Sequence, residues 1–249
     1  MFGLKITLIR NTYPIPLLGI VIIATVIGFD LNKEIFLYIN NLSLYSGKWI
    51  WPILTIFGDP LIILCIGLSF IHFQAKIALA ILPAMIIGIV LVFTLKWGLN
   101  IARPSLILEH GDFILLGRTP ISPAFPSGHT TGIMALATLM ILYSKHYIIS
   151  VIILMLAFVV AISRIMVGAH WPLDIGGGMI LGWGIALTTI TFTQNWKYDK
   201  NKQKLLLISL LICSFLLIFK DTGYSNTYPI QVTIALYGLL IGMTKVIHK

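Results

Sequence analysis

The chain has 249 residues, of which 58% are hydrophobic and only 10% are charged, and its mean hydropathy is +0.99. Soluble domains carry about 25% charged residues, whereas here the apolar residues form long uninterrupted runs. These properties exclude a soluble single-domain enzyme, a disordered chain, a collagen-like chain and a disulfide scaffold. The sequence therefore predicts a polytopic membrane protein.

The net charge of +9 does not indicate a nucleic-acid partner, because the chain has no basic patch interleaved with aromatic residues. Its lysines and arginines lie mostly between the apolar runs, which is typical of membrane topology signals. The two cysteines, Cys65 and Cys213, lie inside apolar runs without metal-ligand spacing. We therefore predict neither a disulfide nor a metal site.

Apolar runs of suitable length predict eight membrane spans, since a bilayer core of about 30 Å needs roughly 17 to 25 helical residues. In chain order they are residues 14–29, 60–74, 77–97, 128–144, 147–163, 173–193, 205–220 and 229–247. Lys5 and Arg10 precede the first run as in a signal peptide, but that run lacks a small-residue cleavage site, so we expect it to be retained. The aromatic stretch 49–57 stops at Gly58-Asp59-Pro60 and is predicted to be an interfacial segment.

Counting lysine and arginine on alternate sides of these spans predicts the orientation. Ten lie on one side, namely Lys5, Arg10, Lys76, Lys145, Lys197, Lys200, Lys202, Lys204, Lys245 and Lys249. Seven lie on the other, namely Lys33, Lys48, Lys96, Arg103, Arg118, Arg164 and Lys220. By the positive-inside rule the first side is cytoplasmic and holds both termini.

Three short polar segments on the predicted non-cytoplasmic face are not explained by membrane burial. They are Lys96 to Pro104, Pro126 to His129, and Ser163 to Asp174. Charged groups in or near spans are costly and usually functional. The alternation of the spans brings all three segments to one face of the membrane.

The cations and the helix start in these segments suit an anion. Lys96, Arg103 and Arg164 supply three positive charges, and an arginine fork matches phosphate oxygens. Ser127-Gly128 begins a span, where free backbone N–H groups favour a negative charge. Together these residues predict a site for a group with about two negative charges.

The histidines complete a set for phosphoryl transfer. His129 and His170 can divide the work of nucleophile and proton donor. Asp174 follows His170 by four residues and can fix its tautomer. Each residue alone has an ordinary structural explanation, such as a snorkelling lysine or a helix cap, but the combination on one face favours chemistry.

The three segments resemble the signature of the type 2 phosphatidic acid phosphatase (PAP2) superfamily. That signature reads K-x6-R-P, then P-S-G-H, then S-R-x5-H-x3-D, and residues 96–174 match it at every signature position. The resemblance implies an all-α membrane bundle in one domain covering residues 1–249. Its six-helix core would occupy about residues 14–193, and the two spans within 205–247 look like an addition.

The resemblance also implies a role for each motif residue. His170 would attack the phosphorus and form a phosphohistidine, Asp174 would orient it, and His129 would protonate the leaving oxygen. The residues implied to bind the phosphate are Lys96, Arg103, Ser127, Gly128 and Arg164. The family's chemistry needs no metal, and we expect no cofactor.

The implied activity is hydrolysis of a lipid phosphate or diphosphate at the periplasmic face of a bacterial plasma membrane. The family's substrates include undecaprenyl diphosphate, phosphatidylglycerophosphate, phosphatidic acid and lipid A phosphates, and the sequence does not separate them. Arg118, in the loop 105–125, is a candidate specificity residue. Besides the lipid substrate and membrane lipids, we predict no partner.

Two alternatives remain open at this stage. One is a lipid phosphotransferase that passes the phosphoryl group from undecaprenyl diphosphate to lipid A. Some such transferases depart from P-S-G-H at its serine, whereas Ser127 is present here. The more remote alternative is a non-enzymatic transporter or assembly protein, although the sequence shows no inverted repeat.

Overall fold

The structure, a computed structural model, describes residues 11–109, 111–118, 121–144 and 146–247. These residues form eleven α-helices and two 3-10 turns and contain no β-strand. The helices are α1 (Pro14–Gly28), α2 (Asn32–Ser46), α3 (Ile50–Ile56), α4 (Pro60–Ser69), α5 (Ala75–Leu99), α6 (Pro104–Ile107), α7 (Gly128–Tyr143), α8 (Tyr147–Met166), α9 (Pro172–Thr193), α10 (Lys200–Phe219) and α11 (Tyr228–Ile247). The 3-10 turns are Phe70–His72 and Ser225–Thr227.

The helices confirm an all-α membrane bundle. In the described part of the chain, four helical stretches are long and apolar enough to cross a membrane: Ala75–Ile107, Tyr147–Met166, Pro172–Thr193 and Lys200–Phe219. Two more candidates are bent pairs, with 118° between α1 and α2 and 61° between α3 and Pro60–His72. A helix occupies each of the eight predicted span positions, but α1, α4 and α7 have only 15, 10 and 16 residues.

Helix α2 was not predicted. Its 15 residues are too few and too polar for a span, with Lys33 and Glu34 in the first turn. It turns sharply away from α1 and packs against α8 and α9. The aromatic stretch 49–57, predicted to be an interfacial segment leading into the second span, forms the short helix α3, which packs against α8.

Helix α9 lies at the centre of the bundle, packed against α1, α5 and α7. Glycines on α9 allow this close packing, because a Cβ at residue 178 would lie 2.8 Å from the Cβ of Thr130 on α7. On the side facing α1, a Cβ at residue 176 would lie 2.9 Å from the carbonyl oxygen of Gly19. Small residues permit such approaches between membrane helices. The packing brings the start of α7, with its P-S-G-H segment, directly against the start of α9.

Helices α10 and α11 form a C-terminal hairpin that packs against α4. They share an apolar core with α4 and α5, in which Ile62, Ala80, Leu210 and Ala235 are fully buried. The second apolar core joins α1, α2, α7, α8 and α9. The hairpin is therefore an integral part of the bundle, and the loop at residues 220–227 lies at a fixed place.

The start of α5 and the end of α9 lie at the same end of the bundle, as the alternation of spans predicts. Lys76 donates to the carbonyl oxygen of Gln194 at 2.7 Å and to that of Trp196 at 3.3 Å. Several other lysines and arginines of the topology count lie outside the described residues: Lys5, Arg10, Lys145, Lys249 and the side chain of Lys245.

Candidate active site

Lys96 and Arg103 lie at the end of α5 and just beyond it, and both side chains are buried. Asn100 ends the helix in the left-handed conformation, with φ of 46°. The Lys96 ammonium donates to the carbonyl oxygens of Pro123 and Ala124. Because the chain turns at Asn100, Arg103 returns toward the same loop and donates from Nε to the carbonyl oxygen of Ser122 at 2.6 Å.

The second segment forms the start of α7. Ser127 is its N-cap, and the Ser127 hydroxyl accepts from the Thr130 backbone N–H at 3.3 Å and contacts Thr130 Oγ1 at 3.0 Å. Its own N–H donates to the backbone carbonyl of Asp174 at 3.1 Å. Gly128 and His129 are the first two helical residues, whose N–H groups precede the intrahelical pattern. The helix start thus presents backbone donors beside the His129 ring.

His170 lies between two polar partners in the turn before α9. Its Nδ1 is 3.0 Å from Oδ2 of Asp174, and its Nε2 is 3.2 Å from Nη1 of Arg103. Pro172 begins α9, so helical spacing does not dictate the contact between His170 and Asp174. It forms because the same Asp174 Oδ2 accepts from the Trp171 N–H at 2.9 Å, which fixes the carboxylate at the helix start.

The local environment keeps the imidazole of His170 neutral. Burial lowers the pKa of His170 well below its ordinary value of 6.5, and the positive charges of Arg103, Arg164 and Lys96 lower it further. A guanidinium only donates hydrogen bonds, so its contact with Nε2 requires an unprotonated nitrogen there. The neutral ring therefore carries its proton on Nδ1, toward Asp174.

Arg164, at the end of α8, is held by a residue that was not predicted. Its Nη1 donates to the hydroxyl of Thr55 on α3 at 2.6 Å, and the Tyr224 hydroxyl lies 3.5 Å from the same nitrogen. Among the described residues, none accepts from its buried Nε. In contrast, Nε, Nη1 and Nη2 of Arg103 are all bonded within the protein. Arg164 thus has more donors left for a ligand than Arg103.

These groups surround one open cavity of about 370 Å³. It brings together most of the predicted site residues, and Ser127 and Asp174 lie directly behind its wall as the helix cap and the partner of His170. The lining residues are Lys96, Arg103, Arg118, Ser122, Gly128, His129, Arg164, His170, Asp221, Thr222, Gly223 and Tyr224. The excess of positive charge suits a doubly charged anion.

Arg118 lies at the rim of the cavity, where it forms an ion pair with the C-terminal hairpin. Its Nη2 is 2.6 Å from Oδ2 of Asp221, and 77% of its side chain is exposed. The ion pair joins the loop 111–118 to the hairpin loop 220–227. Arg118 is therefore close enough to meet a substrate headgroup, and its role in specificity stays a prediction.

Three residues of the site region were missed, because each is a single polar residue without a motif. Thr55 and Tyr224 contact Arg164 from elements far away in the sequence. Asn40 on α2 pairs with both the N–H and the carbonyl of Ile114, at 2.7 and 2.9 Å, and donates to the carbonyl of Ile165 at 3.0 Å. Thr55 stands alone in an apolar stretch, whereas Asn40 and Tyr224 have polar neighbours, so no comparable signal marks those two residues.

No group of three or more His, Cys, Asp or Glu side chains converges as a metal site within the described residues. The expectation of a metal-free reaction stays a prediction. What the cavity offers is a neutral imidazole beside three cations, a second imidazole and a helix N-terminus. This arrangement can bind a phosphate and transfer its phosphoryl group to nitrogen.

Comparisons with known proteins relate the chain to phosphatases. The family model of the PAP2 superfamily matches residues 77–198. Undecaprenyl-diphosphatase of Sulfolobus acidocaldarius is 26% identical over 181 residues, which cover 72% of this chain and 85% of that protein. Lipid A 1-phosphatase of Rhizobium etli is 28% identical over 173 residues, which cover 59% of this chain and 72% of that protein.

A solved structure shows the same likeness in three dimensions. The crystal structure of Aquifex aeolicus LpxE superposes with a TM-score of 0.53 at 30% identity, covering 65% of this chain and 95% of that chain. The chain therefore belongs to the PAP2 superfamily. It is a membrane hydrolase of the PAP2 phosphatase type, which removes the non-enzymatic alternative.

Proposed function

We propose that the protein hydrolyses a lipid phosphate or diphosphate through a phosphohistidine on His170. The observation that carries this proposal is the pair of contacts made by the His170 ring, with Nδ1 on Asp174 at 3.0 Å and Nε2 beside Arg103 at 3.2 Å. A nitrogen lone pair is thereby directed to the cationic side of the cavity. That is the geometry required of a nucleophile at phosphorus.

In the first step the Nε2 lone pair of His170 bonds to phosphorus while the bond from phosphorus to the lipid oxygen breaks. His129 gives its proton to that oxygen, so the lipid leaves as an alcohol or, from a diphosphate, as the lipid monophosphate. The Nδ1 proton of His170 stays hydrogen-bonded to Asp174, whose negative charge balances the positive charge that develops on the ring. The incoming dianion neutralises nearby cations and so favours the protonated form of His129.

In the second step water replaces His170 at phosphorus. The neutral His129 takes a proton from the attacking water as the N–P bond breaks, which returns both rings to their starting state and releases inorganic phosphate. Lys96, Arg103 and Arg164 stabilise the charge on the equatorial oxygens in both steps. Ser127 holds the helix start, and the Gly128 N–H is the backbone donor to the phosphate.

A lipid substrate is supported by the place of the site at the ends of membrane helices and by the relatives. Those relatives are named for undecaprenyl diphosphate and for the 1-phosphate of lipid A. We propose this class of substrate, a phosphate or diphosphate on a long-chain lipid. Arg118 lines the same cavity, and we propose that it contacts a second phosphate or the headgroup of such a lipid.

The test is phosphate release by the detergent-purified protein from undecaprenyl diphosphate, phosphatidylglycerophosphate, phosphatidic acid and lipid A, without added metal. We expect release by the wild type and none by His170→Ala, and the fastest lipid identifies the substrate class. Equal release by His170→Ala would remove that residue from the nucleophile role. Radiolabel that appears in a second lipid rather than in free phosphate would make the protein a phosphotransferase.

We also propose that the site faces the periplasm of a bacterial plasma membrane and that both termini are cytoplasmic. The excess of lysine and arginine on the opposite side supports this orientation. Both native cysteines, Cys65 and Cys213, are buried. A membrane-impermeant maleimide applied to intact cells should label Asp112→Cys on the site side and not Lys197→Cys, and the opposite pattern would reverse the orientation.

A further inference from the structure

The C-terminal hairpin, which lies outside the residues matched by the family model, contributes part of the cavity wall. Four consecutive residues of its connecting loop, 221–224, line the cavity beside the histidines. The catalytic motifs do not account for this loop. Its position raises the question of what it supplies to a bound phosphate.

The hairpin loop is tied to the rest of the protein on both sides. At its start, Lys220 forms an ion pair of 2.6 Å with the largely buried Asp59, the residue that caps α4. At its end, the Asn226 side chain donates to the carbonyl oxygen of Trp49 at 3.1 Å. These anchors hold the loop at a defined distance from the site, as a preorganised binding group requires.

Contacts within the loop fix the backbone of Tyr224. The carbonyl oxygen of Tyr224 accepts from the Thr227 hydroxyl at 2.7 Å and from the Thr227 N–H at 3.1 Å. The Gly223 N–H, directly before it, donates to Oδ1 of Asp221 at 2.8 Å. The direction of the tyrosine side chain is therefore set by the fold of the loop.

The ring of Tyr224 packs on the backbone of Gly117. A Cβ at residue 117 would lie 2.5 Å from Cε1 and 2.8 Å from Cδ1 of the tyrosine ring. Gly117 also has a φ of +83°, a conformation that disfavours other residues. Glycine at this position therefore gives the tyrosine room to reach the cavity.

The hydroxyl of Tyr224 lies beside Arg164, the arginine with unused donors. The distance from Arg164 Nη1 is 3.5 Å, at the outer limit of a hydrogen bond, so this contact holds the hydroxyl only weakly. Because a guanidinium can only donate, the tyrosine oxygen is the acceptor and its own hydrogen remains free to donate elsewhere. A phosphate oxygen bound to Arg164 would be within the reach of that hydrogen.

We propose that Tyr224 contacts the substrate, donating a hydrogen bond from its hydroxyl to an oxygen of the phosphate that Arg164 binds. This inference rests on the proposed function, because it assigns the ligand of the same cavity. It gives the C-terminal hairpin a direct part in phosphate binding. A neutral donor adds affinity here without adding to the excess positive charge of the site.

The test compares Tyr224→Phe with the wild type, using orthovanadate as the probe. Vanadate mimics the five-coordinate phosphorus of phosphoryl transfer, and calorimetry measures its binding without turnover. The phenylalanine ring retains the packing on Gly117. We expect vanadate to bind about 10-fold more weakly, and kcat/KM for lipid phosphate to fall by a similar factor, because a hydrogen bond to a charged oxygen is lost.

The matched control is Tyr237→Phe, which removes an equivalent hydroxyl from α11 at a half-exposed position outside the cavity lining. It should bind vanadate like the wild type. Unchanged vanadate affinity in Tyr224→Phe would overturn the inference, even if turnover fell. If the wild type binds vanadate more tightly than Tyr224→Phe but releases no phosphate from lipids, only the proposed function is contradicted. If the wild type binds no vanadate at all, both the proposed function and the role of Tyr224 are contradicted.

Discussion

Nη1 of Arg103 lies 3.2 Å from Nε2 of His170, on the opposite side of the ring from Asp174. The arginine also donates from Nη1 to the carbonyl of Ala169 at 2.6 Å, so it cannot rotate away without losing that bond. Acid and base partners thus fix the imidazole in one tautomer before a substrate arrives. In the proposed mechanism, the oxygens of the bound phosphate replace Nε2 as the nearest acceptor for the guanidinium, which frees the nitrogen lone pair to attack.

The first prediction concerns the tautomer of His170. In Asp174→Asn the Trp171 N–H and the His170 Nδ1–H, which both bond to Oδ2 in the wild type, face a neutral amide. An amide oxygen is a weaker acceptor than a carboxylate and does not balance a positive charge on the imidazole ring. We expect kcat to fall by about 10²- to 10⁴-fold, as in other enzymes that lose a tautomer-fixing acid. Phosphate release under saturating lipid measures this loss.

The control for this variant is Asp199→Asn. Asp199 is another helix-capping aspartate, on the exposed start of α10, and accepts from the Lys202 N–H at 2.9 Å. The Asp199→Asn variant should have the kcat of the wild type. A nearly full rate in Asp174→Asn would show that the carboxylate does not orient the nucleophile.

The second prediction concerns the support of Arg164. Thr55→Val removes the hydroxyl that accepts from Nη1 at 2.6 Å while keeping the shape of the side chain. The guanidinium then loses a fixed orientation, and we expect kcat/KM to fall by about 10-fold. Kinetics of phosphate release measure the effect.

Thr55→Ser should recover most of this activity, because it restores the hydroxyl. Thr138→Val is the matched control, since Thr138 is equally buried and its hydroxyl bonds only to the carbonyl of Met134 in its own helix. If Thr55→Val and Thr138→Val have the same activity, Arg164 does not depend on Thr55.

The third prediction concerns stability. Asn40 is buried and joins α2 to the loop at Ile114 and to the end of α8. Asn40→Leu leaves the N–H and the carbonyl of Ile114 without their side-chain partner and removes one donor from the Ile165 carbonyl. We therefore expect a loss of about 2–4 kcal/mol in the free energy of unfolding. The thermal unfolding midpoint in detergent reports this loss.

Asn226→Leu provides the comparison, because it also removes one side-chain bond to a backbone carbonyl, but from an exposed residue. Its expected cost is about 1 kcal/mol or less. Equal midpoints for the two variants would mean that Asn40 does not anchor the loop.

The fourth prediction concerns pH. The pKa of His170 is lowered in the fold, first by burial and then by Arg103 and Arg164. The unfolded chain therefore binds a proton at this residue at a higher pH than the folded one. The contribution of His170 to the free energy of unfolding is complete above about pH 6.5, which is the pKa of a histidine in the unfolded chain. This contribution is lost as the pH falls below that value.

Comparison with His170→Gln isolates this contribution, because the variant lacks the titrating group. Between about pH 8 and about pH 5, the unfolding midpoint of the wild type should fall relative to that of the variant. If the unfolding midpoint of the wild type instead rises relative to that of His170→Gln as the pH is lowered, the fold favours the charged imidazole.

The sequence was most informative where function requires a charge in an apolar chain. Lys96, Arg103 and Arg164 could be recognised because membrane burial does not explain them, and the cavity contains all three. The start of α9 at Pro172 fits the preference of proline for the first turn of a helix. These features depend on local composition, which the sequence displays directly.

Other parts of the site depend on packing between distant segments. Thr55 and Tyr224 reach Arg164 across separations of 109 and 60 residues, and neither has a local pattern that marks it. The helix α2 was missed because a search for bilayer-length runs does not detect 15 residues with a polar first turn. The contact between His170 and Asp174 was expected, but its geometry is set by the bond to the Trp171 N–H.

The most direct test of the account is to trap the covalent intermediate. The purified protein is mixed with lipid carrying ³²P in its terminal phosphate, quenched within milliseconds in alkali, where phosphohistidine is stable, and digested for mass spectrometry. We expect an acid-labile phosphoryl group on His170 that is absent from His170→Ala. This group should accumulate in His129→Ala if that substitution slows hydrolysis of the phosphohistidine more than it slows the attack of His170 on phosphorus. Phosphate release with no labelled residue, or label on a residue other than His170, would contradict the account.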